Sequence, residues 1–152
     1  MDRDTGEIAI SNISFDLVDY RANKAKVYDH YDFPWWKQIS KLALQLEEEY
    51  FDSLPNKRGV TVYTELGAIK MKYATASLTE YFWLMGMRYG LSIGYKNLIC
   101  RSSNPISTKL MTRLGGKIVK KVNFEDEDMK DYYMELIDTE LVELNPKCIA
   151  RL

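Results

Sequence analysis

The apolar positions of this chain alternate in some stretches and recur every third or fourth residue in others. Ile8, Ile10, Ile13, Phe15 and Leu17 alternate with one irregular step, which predicts a strand after the turn signal Asp4-Thr5-Gly6-Glu7. Residues 19–33 are polar and aromatic without a clear period and read as a loop. Pro34 suits a first helical turn, and Trp36, Ile39, Leu42, Ala43, Leu46 and Tyr50 then mark one face of an amphipathic helix. Val60–Ile69 is rich in β-branched and aromatic residues, as a strand requires. Ala74–Gly94 reads as a long helix, apolar on most sides and so buried against a sheet or a partner. A short buried strand at Asn97–Arg101 follows. Asn104 and Pro105 then fit the N-cap and first position of a helix that ends at Gly115-Gly116. Lys117–Phe124 and Asp131–Asp138 alternate again and pair as a hairpin across the acidic turn Glu125–Asp128.

The order is therefore β, α, β, α, β, α, β, β: an α/β (α+β) chain around a mixed central sheet. The strand–helix–strand units imply parallel right-handed crossovers, and the last two strands imply an antiparallel pair. The length of 152 residues suits a single domain over residues 1–145, with 146–152 as a C-terminal tail.

Charge changes the picture little. A net charge of −1 carries no global field toward nucleic acid, and the basic run Lys117, Lys120, Lys121 reads as a solvated strand edge. No apolar run approaches the ~18 residues of a membrane span. The acidic, polar start resembles neither a signal nor a transit peptide. Cys100 and Cys148 are too few for a disulfide framework, which points to an intracellular, reducing compartment, cytoplasm or organelle matrix. His30 stands alone, and no cluster has metal-ligand spacing.

The stretch GYKNLICRSSNPISTKLMTRLGGKIVKKVNF, Gly94–Phe124, resembles the second half of the acyl-CoA N-acetyltransferase (GNAT) superfamily: a "GYK" closing a long helix, a short strand, an Asn, a helix with a Ser, and a closing "LG". RGVTVYTELGAIK resembles the family's central strand, which splays from its neighbour to admit the pantetheine arm. DTGEIAI resembles a family hairpin. The resemblance implies a GNAT-like order of elements, closest to arylalkylamine-type members. It also implies that the family's N-terminal strand and two helices, which cover the substrate, are lacking, since Met1 lies just before the DTGEI turn.

Two positions depart from the family pattern. The family joins central strand to long helix through a loop of the form Gln/Arg-x-x-Gly-x-Gly/Ala, where backbone N–H groups at a helix N-terminus hold the CoA pyrophosphate. Here Lys70-Met71-Lys72-Tyr73 runs straight into Ala74-Thr75; aligned without a gap, Met71 and Tyr73 replace the glycines. The Tyr that many members use to protonate the leaving thiolate is Met111 here.

These departures imply a degenerate GNAT-like domain that binds no cofactor, does not catalyse, and serves as a structural or accessory subunit. It would meet other protein chains, or a second copy, through an open sheet edge and the aromatic residues Trp35, Trp36 and Trp83, with no nucleic acid and no membrane span involved. The alternative is an acetyl-CoA-dependent N-acetyltransferase acting on a small amine or lysine. Its chemistry would fall to Ser103 and Ser107, which match serines of arylalkylamine-type members, and to Glu65 as acceptor-side base. Gly67, Ala68, Ile69, Lys70, Lys72, Ala74 and Asn104 would then surround the CoA. The plainer expectation is that Ser103 and Ser107 cap the helix with Asn104 and that Glu65 is an exposed or paired carboxylate. A CoA or nucleotide sensor without turnover is a third reading.

Overall fold

Asp16 ends the first strand and starts the first helix. Its Oδ1 accepts from the Val18 N–H at 2.9 Å, and its Oδ2 accepts from the Gly59 N–H at 2.7 Å and the Tyr95 hydroxyl at 3.1 Å. The computed structural model describes residues 4–29, 34–123 and 133–142. In chain order these form β1 (Ile10–Asp16), α1 (Leu17–Asp29), α2 (Pro34–Asp52), β2 (Thr61–Ile69), α3 (Ala76–Ser92), β3 (Asn97–Ser102), α4 (Pro105–Arg113), β4 (Lys117–Asn123) and β5 (Tyr133–Glu140). A 3₁₀ turn, Met71–Tyr73, links β2 to α3. The mixed sheet has the order β1-β2-β3-β5-β4 among the described residues.

Two expectations are corrected. The segment read as a loop contains α1, which has no apolar stripe of its own. Leu17 and Tyr20, both 2% exposed, anchor it in the core, and Arg21 donates to the Phe51 carbonyl at 3.0 Å and to Asp52 at 2.7 Å. Tertiary contacts override the weak local pattern. The first crossover is also not parallel: β1 pairs antiparallel with β2, from Ile10↔Ile69 to Asp16↔Val62, because two helices rather than one return the chain. The irregular step foreseen in β1 is a register shift between Ile13 and Ser14. The other elements lie where the pattern put them. β2 and β3 are parallel, and β4 and β5 form the antiparallel hairpin. His30, Cys148 and the 146–152 tail lie outside the described residues.

The sheet separates two cores. On one face α1 and α2 bring Tyr20, Ala43, Leu46 and Phe51 onto Tyr63, Ile99 and Leu136. On the other, α3 and α4 bring Met87 and Met111 onto Leu98, Cys100, Ile137 and Leu141. α3 approaches closely at Gly90, where a Cβ would lie 3.2 Å from Leu141 Cδ1. It packs against the sheet as expected, through Leu84 and Met87, while Tyr81, Met85 and Tyr89 are exposed on its outer side.

Candidate functional site

β2 and β3 begin as partners and then part. Their pairing runs from Thr61↔Asn97 to Thr64↔Cys100. β2 continues to Ile69, held on its other side by β1, while β3 ends at Ser102. The gap between them is a cleft of about 550 Å³. Gly67, Ala68 and Ile69 line one side, Phe82 and Trp83 of α3 another, and Ser103, Asn104 and Ser107 stand at the start of α4.

Glu65 and Arg101 complete the cleft, with side chains 12% and 10% exposed. Arg101 pairs with Glu65 through Nη2, and its Nε lies 3.2 Å from Glu47 Oε1. Glu47 of α2 is fully buried. It accepts from the Tyr63 hydroxyl at 2.5 Å and from the Tyr20 hydroxyl at 2.9 Å. Burial holds the Glu47 carboxyl above its ordinary pKa, although Arg101 and the two phenols pull the other way. Burial also pushes the Tyr63 phenol far up, so it remains a donor. One guanidinium thus serves two carboxylates. Glu65 Oε2 is buried and finds no hydrogen-bond partner among the described residues.

No family profile and no curated protein matches the sequence. Solved structures do match. Arylalkylamine N-acetyltransferase 2 from Aedes aegypti superposes with a TM-score of 0.73 at 12% identity, over 93% of this chain and 71% of that one. The C-terminal condensation domain of Ebony gives 0.70 at 12% identity, over 91% and 69%. The Drosophila melanogaster polyamine N-acetyltransferase gives 0.67 at 12% identity, over 90% and 71%. The chain has the GNAT fold. At these identities the likeness speaks for architecture, so each residue must be judged on its own geometry.

Of the residues picked from sequence, Glu65, Gly67, Ala68, Ile69, Ser103, Asn104 and Ser107 all line this one cleft. Lys70, Lys72 and Ala74 do not. Lys70 Nζ lies 3.6 Å from Glu7 Oε1, Lys72 pairs with the same carboxylate, and Tyr73 donates to it at 3.2 Å. Ala74 is exposed beside the turn.

The α4 cap is built differently from the expectation. Asn104 Oδ1 accepts from the Ile106 N–H at 2.9 Å, and Ser102, rather than Ser103 or Ser107, bonds the Asn104 backbone. Ser103 is exposed and Ser107 half-buried. Met111 packs in the α3–α4 core at 1% exposure and does not line the cleft. Trp83, expected as an external anchor, is half-buried against that core and faces the cleft. The side chains of Trp35 and Trp36 lie outside the described residues. Glu65 is the paired carboxylate of the plainer expectation, with one oxygen left over.

Sequence reasoning missed Arg101 and Glu47. Glu47 sits in the run Glu47-Glu48-Glu49, which looks solvated, yet it falls four residues after Ala43 and three before Tyr50, on the apolar face of α2. That spacing was the readable signal.

Among the described residues no three His, Cys, Asp or Glu side chains gather as a metal site, and no helix is long and apolar enough to cross a membrane.

Proposed function

We propose that this chain is a GNAT-fold domain that does not turn over acetyl-CoA and acts as a structural or accessory subunit beside other protein. The observation that carries this reading is the use of backbone donors in the β2–α3 joint. The Lys70 N–H bonds the Ala9 carbonyl at 3.0 Å. Tyr73 bonds Lys70 at 2.8 Å, Ala74 bonds Met71 at 3.1 Å, and Thr75 bonds Tyr73 at 2.8 Å. The Thr75 side chain caps α3 by accepting from the Leu78 N–H at 3.2 Å. A diphosphate cradle works by leaving such donors open at a helix start. Here two of these N–H groups, of Tyr73 and Ala74, close the 3₁₀ turn, those of Lys70 and Thr75 bond Ala9 and Tyr73, and the Met71 side chain stands out from the turn, 88% exposed. The buried Met111 supports the same reading, because no phenol stands at that position of α4. β1 is an edge strand among the described residues, with Ile13 exposed on it, and its outer side offers another chain a strand to pair with.

The second reading is an acetyl-CoA-dependent N-acetyltransferase on a small amine or lysine. One observation favours it: Glu65, Ser103 and Ser107 share the cleft. Calorimetric titration with acetyl-CoA, coupled to a thiol-release assay with an arylalkylamine present, separates the two. The expected result is no heat and no thiol. Micromolar binding with amine-dependent thiol release would replace the first reading with the second.

A further inference from the structure

The outer face of α3 has the composition of a contact surface. Tyr81, Met85, Tyr89 and Ile93 are all exposed, and they follow one another at intervals of four residues along one ridge of the helix. Leu78 and Phe82 lie half-buried beside them. The other exposed side chains described between Ser77 and Ile93 are Ser77, Arg88 and Ser92, so the exposed residues of this face carry a single charge. A helix that turns one side to water normally makes that side polar, and monomers rarely leave a run of large apolar side chains open. Arg88 has no ion-pair partner among the described residues, whereas Glu80 of the same helix is paired with Arg113.

Three features select a second copy of this chain as the cover. One is symmetry. Tyr81 and Tyr89 stand four residues on either side of Met85, so the ridge reads the same from both ends, as a two-fold contact between identical surfaces requires. Two such ridges laid antiparallel bring Met85 beside its own mate and Tyr81 beside the partner's Tyr89. Another is charge. Arg88 flanks the ridge one turn beyond Met85, at the place where a tyrosine ring of the partner arrives, and a guanidinium over a tyrosine face is attractive. The third is area. The four ridge residues are between 44% and 67% exposed, and at ~150–250 Å² for a whole aromatic side chain, covering them on both copies removes on the order of 900 Å² from water. That lies between the ~800 Å² of incidental contacts and the ~1,200 Å² where stable complexes begin, which is the size of a weak, concentration-dependent dimer.

We propose that the chain self-associates as a weak antiparallel two-fold dimer through the Tyr81–Met85–Tyr89 ridge of α3. The inference goes beyond the non-catalytic reading and stands whether or not acetyl-CoA binds.

The test is sedimentation of the full chain from about 1 µM to 1 mM, where a weak contact registers. The parent should pass from monomer to dimer within that range. Tyr81→Lys and Tyr89→Glu should each weaken association about tenfold or more, as expected for central apolar contacts, with thermal denaturation showing that both variants fold. Together in one chain they set opposite charges side by side twice across the two-fold, and association should return to within about threefold of the parent at low salt. Cross-linking checks the axis. In a Cys148→Ser background, Met85→Cys should give a covalent dimer with a short bis-maleimide. Ser77→Cys should not, because eight residues at ~1.5 Å each put the two Ser77 positions about 24 Å apart. A monomer at every concentration, a dimer indifferent to Tyr89→Glu, no recovery in the double variant, or equal cross-linking from Ser77→Cys would each overturn the proposal. Acetyl-CoA is titrated into the same samples. Heat without a change in association removes the non-catalytic reading and leaves the dimer standing; a monomer that gives no heat removes the dimer alone.

Discussion

Arg101 shows how much can rest on one side chain. It joins β3 to α2 and β2 through Glu47 and Glu65, and its guanidinium lies 5.8 Å from the centre of the Tyr63 ring. Arg101→Met leaves two buried carboxylates without their cation. It should lower unfolding free energy by about 3–5 kcal/mol in a urea titration, the cost of breaking rather than replacing a buried pair. Glu47 gives a second prediction, with a sign. Burial raises its folded-state pKa above the ordinary 4.5, so the folded chain holds that proton more tightly than the unfolded one. The resulting stability is complete below 4.5 and is lost as pH rises through the folded-state value. Glu47→Gln removes the titration. The stability of the parent relative to this variant should therefore fall as pH climbs from about 4 upward, measured by denaturation at a series of pH values. Gly116 gives a third. A Cβ there would lie 2.7 Å from Ile137 Cγ2 and 2.9 Å from both the Met111 carbonyl and Thr139 Oγ1. Gly116→Ala should cost about 1–3 kcal/mol by thermal denaturation, because backbone is among the atoms that would have to move. Glu65 was legible as a candidate because it is a carboxylate within the family-like central strand. Its partner Arg101 was not, since a charge at the end of NLICR reads as the strand meeting water.

Elements with their own punctuation were legible to within a residue or two. Asn104 and Pro105 announce α4, and the structure gives them the cap and first position expected of them. Asn104→Ala should cost about 1 kcal/mol, and urea denaturation checks it. Gly94, at φ +101°, follows α3 in the left-handed conformation that the chain reversal needs. α1 had no such marks. Its only core anchors among the described side chains lie in its first turn, and its cap is Asp16, which belongs by pattern to the strand before it. The antiparallel setting of β1 was illegible for a related reason. Two helices return the chain to the side it left, and the second of them was counted alone.

At the scale of the molecule, the two-sided sheet was legible from the alternation of strands and helices. The cleft was legible only through the family resemblance, because a splay is a relation between two strands that no local pattern encodes. That the β2–α3 joint is too crowded for a diphosphate is an expectation from sequence, which the acetyl-CoA titration tests. Cys100 reports on the whole fold. Burial, helped by nearby Asp138, pushes its thiol up to about 12, so a disulfide reagent at mild alkaline pH should leave it unmodified until the chain unfolds. With Cys148 replaced by serine so that only this thiol is read, modification at the unfolding rate is the expected result, and rapid labelling of the native variant would show that the second core opens locally.

β3 feeds both sides of the sheet in strict turn: Leu98 and Cys100 toward α3 and α4, Ile99 and Arg101 toward α1 and α2. Inserting one residue after Asn97 would send Leu98 and Cys100 to the helices that now receive Ile99, and would drive a guanidinium into the methionine-lined interior. Length in this strand is thus held more tightly than composition. Its hydrophobic members can be traded for one another, whereas a change in its count inverts the molecule's inside at a stroke.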